Sequence, residues 1–323
     1  MIKHFILFTA LFFSEQSLPA ATSDSASVRK YHEILASWDN DVLMQTDYYY
    51  TQGVMAQTVL PVLERNPVNF LFFRMKRARN YFGLAVRQEI YTPINIEATW
   101  IVSNDRPYAG TLYVRSLKVS NNEDRRIKLT SQLDLGVLGP ASVAGYCQRI
   151  IHEINGLLPP NGWSNQIRNK PYINYNVQLD KGLAERPGSM EVLYSVGARA
   201  GNIYDDLQIG VKFRTGMISS YFNGVTTQDM TLNSHRDILA YFYGGLNGKA
   251  VFYNSLLTGG MFSTDNPYVL KTSEISHFIF SGYAGIFLGY KGIGAKLEFF
   301  EQSPEFAGGL HHGWSTIGAV ISF

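Results

Sequence analysis

The sequence has very little cysteine, no long run of basic residues and no apolar stretch beyond its N-terminus that approaches a membrane-spanning helix. Cys147 stands alone, which excludes an internal disulfide and a cysteine-based zinc site. It also lies too far along the chain to serve as a lipoprotein anchor. Charge of either sign is scarce in excess: 28 Lys+Arg against 26 Asp+Glu leave a net +2, so nucleic acid is not an expected partner. No G-x-S-x-G elbow occurs, so the serine nucleophile of that hydrolase type is missing. Repeats, low-complexity tracts and linkers are absent as well, which leaves a single domain as the expectation.

The N-terminus has the marks of a secretory signal. Lys3 is the positive flank, residues 5–13 (FILFTALFF) form the apolar core, and Leu18-Pro19-Ala20-Ala21 is a small-residue exit. That core is far shorter than the ~20 residues of a spanning helix. Residues 1–21 are expected to be removed, leaving 22–323 as one exported domain.

What the chain holds instead is period-two alternation. Ile127, Leu129, Leu133, Leu135 and Val137 fall on one face, with Lys128, Thr130, Gln132 and Asp134 on the other. Residues 172–180, 207–214 and 284–299 repeat the pattern. Charges on the polar face suit a hydrated lumen, and Tyr and Phe cluster near strand ends (Tyr48, Tyr49, Tyr50; Tyr241, Phe242, Tyr243; Phe299, Phe300) as membrane girdles would. The chain ends in Phe323 on an alternating strand. At ~9–11 residues per tilted strand, the length allows about twelve strands. The expected fold is all-β: a closed antiparallel transmembrane β-barrel in a bacterial outer membrane.

Four segments break the alternation, all in the first half. They are Trp38-Asp39-Asn40-Asp41; TDYYYTQG at 46–53; NDRPYAGTLY at 104–113; and GPASVAGYCQRIIH at 139–152, followed by Gly162-Trp163 and Gln166. The fourth segment matters most: Gln148 and His152 are four apart on a short amphipathic run, so a helix would present both on one face. Imidazole is the side chain best suited to accept a proton near neutral pH. Asp39, Asn40, Asp41 and Asp47 offer the hard oxygens that calcium takes. No glycine sits at the sixth position after Asp39 and no Glu closes the loop, so this is not an EF-hand.

These motifs, in this order, resemble the LpxR family of outer-membrane lipid A 3′-O-deacylases. The motif resemblance runs from about Trp38 to Pro171, and barrel character covers the rest. It implies a twelve-stranded barrel with a site on the outer-leaflet side, between the wall and a short helix. It further implies calcium-dependent ester hydrolysis by water, removing the 3′-linked acyl or acyloxyacyl chain of lipid A. A monomer is expected, with lipopolysaccharide and outer-membrane lipids as its partners. Carried over by motif, His152 is the general base and Gln148 its polar neighbour. Asn40 and Asp41 build the calcium and oxyanion region, and Thr51 lines the cavity. Independently of the motif, the guanidinium of Arg106 suits contact with a lipid phosphate. The segment 92–103 holds Glu97 where some members have adjacent basic residues.

Two other functions share this sequence pattern: a passive outer-membrane channel, and a phospholipase-like barrel with a Ser-His pair, for which only Ser234-His235 offers itself. Arg106 is equally suited to a structural ion pair. His311 and His312 are adjacent in a Gly-rich turn, so their rings diverge. The basic cluster at 74–79 (RMKRAR) reads as a polar turn or a contact for anionic lipid headgroups.

Overall fold

A computed structural model describes residues 32–44, 46–225, 238–261 and 264–323. The expected signal segment 1–21 and the Ser234-His235 pair lie outside the described residues. Twelve strands close into an antiparallel barrel in which sequence neighbours pair and the last returns to the first. They are β1 (Glu33–Asn40), β2 (Tyr49–Val59), β3 (Arg79–Thr92), β4 (Ala109–Asn122), β5 (Ile127–Leu138) and β6 (Lys170–Arg186). Then come β7 (Met190–Gly201), β8 (Tyr204–Met217), β9 (Ile238–Asn254), β10 (Phe278–Tyr290), β11 (Ile293–Gln302) and β12 (His312–Ser322). Closure runs from Glu33↔Ser322 to Asn40↔Ser315. In hydrocarbon no water can pair an open edge, so the ladder must close on itself.

Alternation places one side-chain set toward lipid. Trp38, Val54, Val86, Val114, Leu135 and Ile173 are exposed on six consecutive strands and form part of that band. The other set fills the interior. Arg115 is held by Asp134 at 2.7 Å, Arg87 by Asp39 at 2.8 Å, Arg214 by Glu191 at 2.8 Å and Lys212 by Asp180 at 3.2 Å. Around them Leu35, Met55, Ala85, Tyr241, Tyr243, Phe287 and Val320 pack into one cluster. The chain after β8 also reaches inward: Val225 is buried with Val59, Tyr81, Leu117 and Val119, and Phe222 with Leu193 and Tyr221.

Two expectations need correction. The run 284–299 is not one strand; a turn at Lys291 and Gly292, with φ of 43° and 85°, divides it into β10 and β11. Nor are the tyrosine clusters girdles. Tyr49, Tyr50, Tyr241 and Tyr243 are buried, and only Phe242 between the last two faces lipid. Alternation sends neighbours to opposite faces, so a run of aromatics cannot all line the membrane.

The rim that carries both ends of the closed barrel has short turns at 123–126, 187–189 and 291–292 beside the longer segments 60–78 and 218–237, whereas the opposite rim carries 93–108, 139–169 and 255–277 beside the two-residue turn 202–203. Short turns mark the periplasmic side of such barrels and long loops the cell surface.

A lumen filled by paired charges and aromatic clusters should not conduct. In a planar bilayer the purified protein is expected to give no stepwise current. Regular porin-sized conductance steps would mean that the interior opens.

Candidate active site

Asn40, Gln52, Ile90 and Gly110 are successive cross-strand partners on β1 to β4. They share parity with the lipid-exposed Trp38, Val54, Val86 and Val114, so this row lies on the outer wall. Yet Gln52, Ile90 and Gly110 are buried. What covers the outer wall here is α1 (Ala144–Asn155), in the long segment after β5.

Small residues let the helix sit close. A Cβ on Gly110 would stand 2.2 Å from the Ala144 Cβ and 2.5 Å from the Ser142 Oγ, and one on Gly145 would stand 2.7 Å from the Trp163 ring. Gln88 Nε2 donates to the Ser142 carbonyl at 2.7 Å, and Ile90, Tyr108, Ala144 and Trp163 pack together beneath. Val143 opens the helix at φ 53°, a left-handed conformation that costs a β-branched residue of order 1–3 kcal/mol. Gly156 ends it at φ 64°, where glycine is unstrained.

The buried face of α1 is Ala144, Gln148 and His152, the four-residue spacing read from the sequence. His152 Nδ1 lies 2.6 Å from the Leu158 carbonyl oxygen. A carbonyl only accepts, so Nδ1 carries the proton and the neutral ring presents a lone pair at Nε2. Nε2 faces Asp47 Oδ2 at 3.9 Å. Gln148 Oε1 accepts from the Trp163 indole N–H at 2.7 Å, which fixes the amide and leaves its buried Nε2 without a partner.

The β1–β2 hairpin brings the acidic side. Asn40 donates through Nδ2 to the Thr51 carbonyl at 3.0 Å and accepts from the Val42 N–H at 2.8 Å. Thr46 Oγ1 and the Tyr48 N–H each donate to Asp41 Oδ2 at 3.2 Å. Burial, reinforced by the charge of Asp47, pushes the Asp41 carboxyl up to about 8. Asp47 is raised by burial too, against the opposing effect of His152. Thr51 lies in a bulge between the Tyr50↔Tyr91 and Gln52↔Ile90 pairs, and its hydroxyl is buried without a partner. His152 thus faces Asp47, the charge of Asp47 acts on Asp41, and Asn40 beside Asp41 bonds the Thr51 carbonyl, next to the wall that Gln148 and Trp163 cover.

Three residues fall elsewhere. Arg106 is fully buried at the mouth of the lumen, bonded to Glu305 at 2.9 Å with its guanidinium 4.5 Å from the Tyr91 ring centroid. Of its two sequence readings the structure forms the ion pair, and the buried Nε and Nη2 make no hydrogen bond. Asp39 also points inward, to Tyr50 at 2.6 Å, Arg87 and Thr316, so it is not an oxygen donor for the outer site. His312 bonds the Tyr50 carbonyl at 3.0 Å inside the barrel. Conversely, Asp47 and Trp163 prove more central than their motifs suggested. The signal was present: Asp47 belongs to the same motif as Thr51, and Trp163 to the Gly-Trp pair after the helix.

A closed twelve-stranded barrel with an outward apolar band and a charge-filled interior defines an integral outer-membrane protein. The model of the family described as outer membrane protein LpxR matches residues 5–323, and the chain belongs to that family. The solved structure of LpxR from Salmonella typhimurium superposes with a TM-score of 0.73 at 17% identity, covering 90% of this chain and 99% of that one. The β domain of the Bordetella autotransporter BrkA matches at a TM-score of 0.43 and 10% identity, covering 91% of this chain and 98% of that one. No curated protein matches the sequence.

The seating of α1 can be tested without any assay of activity. Gly110→Val should cost about 1–3 kcal/mol of helix docking by overpacking, which is roughly tenfold or more in the docked population. Amide exchange in 144–155 should rise accordingly while the strands stay protected. Unchanged exchange would mean that α1 is held by other contacts.

Proposed function

We propose that this outer-membrane protein is a calcium-dependent ester hydrolase that removes the 3′-linked acyl or acyloxyacyl chain of lipid A. The observation that carries the reading is the oriented His152 imidazole, buried between α1 and the outer wall with its free nitrogen toward a carboxylate cluster. A site on that side of the barrel is reached from the leaflet, where a lipid ester lies, and the long-loop rim faces the leaflet that holds lipid A.

Each residue then has a chemical task. His152 takes a proton from water at Nε2 as the water adds to the ester carbonyl, and returns it to the departing sugar hydroxyl. Leu158 holds the ring in the competent tautomer. Asp47 faces the nitrogen that becomes positive and stabilises the imidazolium. The unpartnered N–H groups of Gln148 and the Thr51 hydroxyl are donors available to the carbonyl oxygen as it gains charge. Buried donors without partners cost about 1–3 kcal/mol each, and a ligand that satisfies them removes that cost.

The residues fit calcium. Asp41 is a buried carboxylate raised by its burial and by the charge of the partly exposed Asp47, and a divalent cation relieves both effects. Among the described residues no three His, Cys, Asp or Glu side chains converge, so amide and backbone oxygens would complete the shell, as suits calcium. When bound there, calcium supplies Lewis-acid polarisation of the ester. Asp41 and Asn40 are the residues that would hold it.

The decisive experiment is mass spectrometry of lipid A after incubation with the purified protein. The wild type should release the 3′ chain, and His152→Ala should lose at least ~10² in rate while retaining a heat-modifiable barrel on a gel. His152→Gln, which cannot take the proton, should be equally slow. Wild-type-like rates in both variants would remove His152 from the reaction.

Calcium dependence has its own test, with a definite sign. A carboxyl raised in the folded state favours the hairpin fully at low pH and progressively less as pH climbs toward about 8. Without calcium, the protection of the Tyr48 amide, which donates to Asp41, should therefore fall from pH 5 to pH 9 once each rate is divided by its intrinsic rate at that pH. Calcium should abolish that loss of protection, and excess EGTA should stop turnover with the barrel intact. Full turnover in EGTA would exclude the metal.

A further inference from the structure

A second covered patch lies on the opposite half of the wall. Lys118 shares parity with the lipid-facing Val114, Ser131 with Leu135, and Tyr175 with Ile173, so all three point outward. Lys118 and Ser131 are cross-strand partners near the ends of β4 and β5 that meet at the 123–126 turn, on the periplasmic side. Yet Lys118, Ser131 and the neighbouring Ser120 are buried. A lysine facing hydrocarbon is costly unless something covers and bonds it.

The cover is the segment joining β2 to β3. Two short 3-10 turns, Pro61–Arg65 and Pro67–Leu71, carry the chain along the outside of the barrel. There the Phe73 carbonyl accepts from Lys118 Nζ at 3.3 Å and the Leu71 carbonyl from the Tyr175 hydroxyl at 3.0 Å. Phe72 is buried near the Tyr175 ring, with centroids 6.3 Å apart. Phe70, Leu71 and Phe73 remain exposed beside the lipid-facing band. Immediately after them Arg74, Lys76 and Arg77 are exposed, the last in a tight turn at φ 55°. None of the three has an ion-pair partner among the described residues. The charge of Arg74 also falls on Lys118, so cation stands beside cation at this level of the wall.

We propose that this strap binds anionic phospholipid of the inner leaflet, with Phe70, Leu71 and Phe73 in the acyl layer and Arg74, Lys76 and Arg77 on the phosphate. Apolar side chains followed at once by unpaired cations, at the periplasmic rim of a membrane barrel, match an acyl chain joined to an anionic headgroup. Basic residues at such an interface attract anionic lipid, and the attraction decays within a Debye length. Charge complementarity selects this occupant over a second copy of the chain, whose matching strap would oppose cation to cation. The inference is independent of the hydrolase reading, because none of these residues belongs to the outer-leaflet cluster.

The test is native mass spectrometry of the full protein, released from detergent containing phosphatidylglycerol or phosphatidylcholine. Phosphatidylglycerol should be retained preferentially, with retention falling as salt rises in the protein–lipid incubation. The triple variant Arg74→Gln, Lys76→Gln, Arg77→Gln should weaken that retention on the order of a hundredfold, roughly fivefold per cation. Phosphatidylcholine retention should barely change. These positions are exposed, so the barrel should survive, with heat-modifiable migration as the control. Equal retention of the two lipids by the wild type, or a triple variant that keeps its preference, would overturn the proposal. So would a protein dimer that the triple variant dissolves.

Discussion

Inside hydrocarbon every backbone polar group must find a partner within the protein, and each polar side chain on the outer wall must be covered. The first demand closes β1 onto β12. The second explains the two irregular segments that lie against the wall. One patch, Asn40, Gln52 and Gln88, lies beside or under α1 and the segment that leads into it; the other, Lys118, Ser120 and Ser131, lies under the β2–β3 strap. In each case polar groups on the outer wall are covered by a segment of the chain. The barrel is then the frame against which two such segments pack, toward opposite rims.

Electrostatics divides the molecule along the same wall. Inward charges are neutralised pairwise, as Arg115 is by Asp134 and Arg214 by Glu191, which suits a filled interior. Breaking such a buried pair strands a charge and costs about 3–5 kcal/mol, so those residues read as structural. At the outer site the balance is left incomplete: the buried Asp41 feels the charge of Asp47, and Gln148 Nε2 and Thr51 Oγ1 lack partners. Unsatisfied groups of that kind, gathered in one place, are where a ligand has the most to contribute.

The barrel was legible because its signal is local and repeated. Period-two alternation such as Ile127, Leu129, Leu133, Leu135 and Val137 against Lys128, Thr130, Gln132 and Asp134 survives any tertiary arrangement that keeps one face in lipid. The helix pair Gln148 and His152 was legible for the same reason, since a four-residue spacing fixes a common face. Arg106 was not. The motif around it reads identically whether the side chain turns toward a phosphate at the rim or toward Glu305 at the lumen mouth. Asp39 and Asp41 illustrate the point at closer range: they are two residues apart, yet one bonds Tyr50 and Arg87 inside the barrel and the other lies in the outer-site hairpin.

The sequence by itself determined the class of fold, the outward apolar band and the helical face that carries the imidazole, because each depends on periodicity along one strand or helix. Only the tertiary structure decided which side of the wall α1 covers, that Asp47 rather than Asp39 meets His152, and that Arg106 is a buried ion-pair member. Those outcomes depend on cross-strand register and on loops folding back over distant strands. Asn40, Gln52, Ile90 and Gly110 become neighbours only once four strands pair. No spacing along the chain encodes that row; closure of the ladder does.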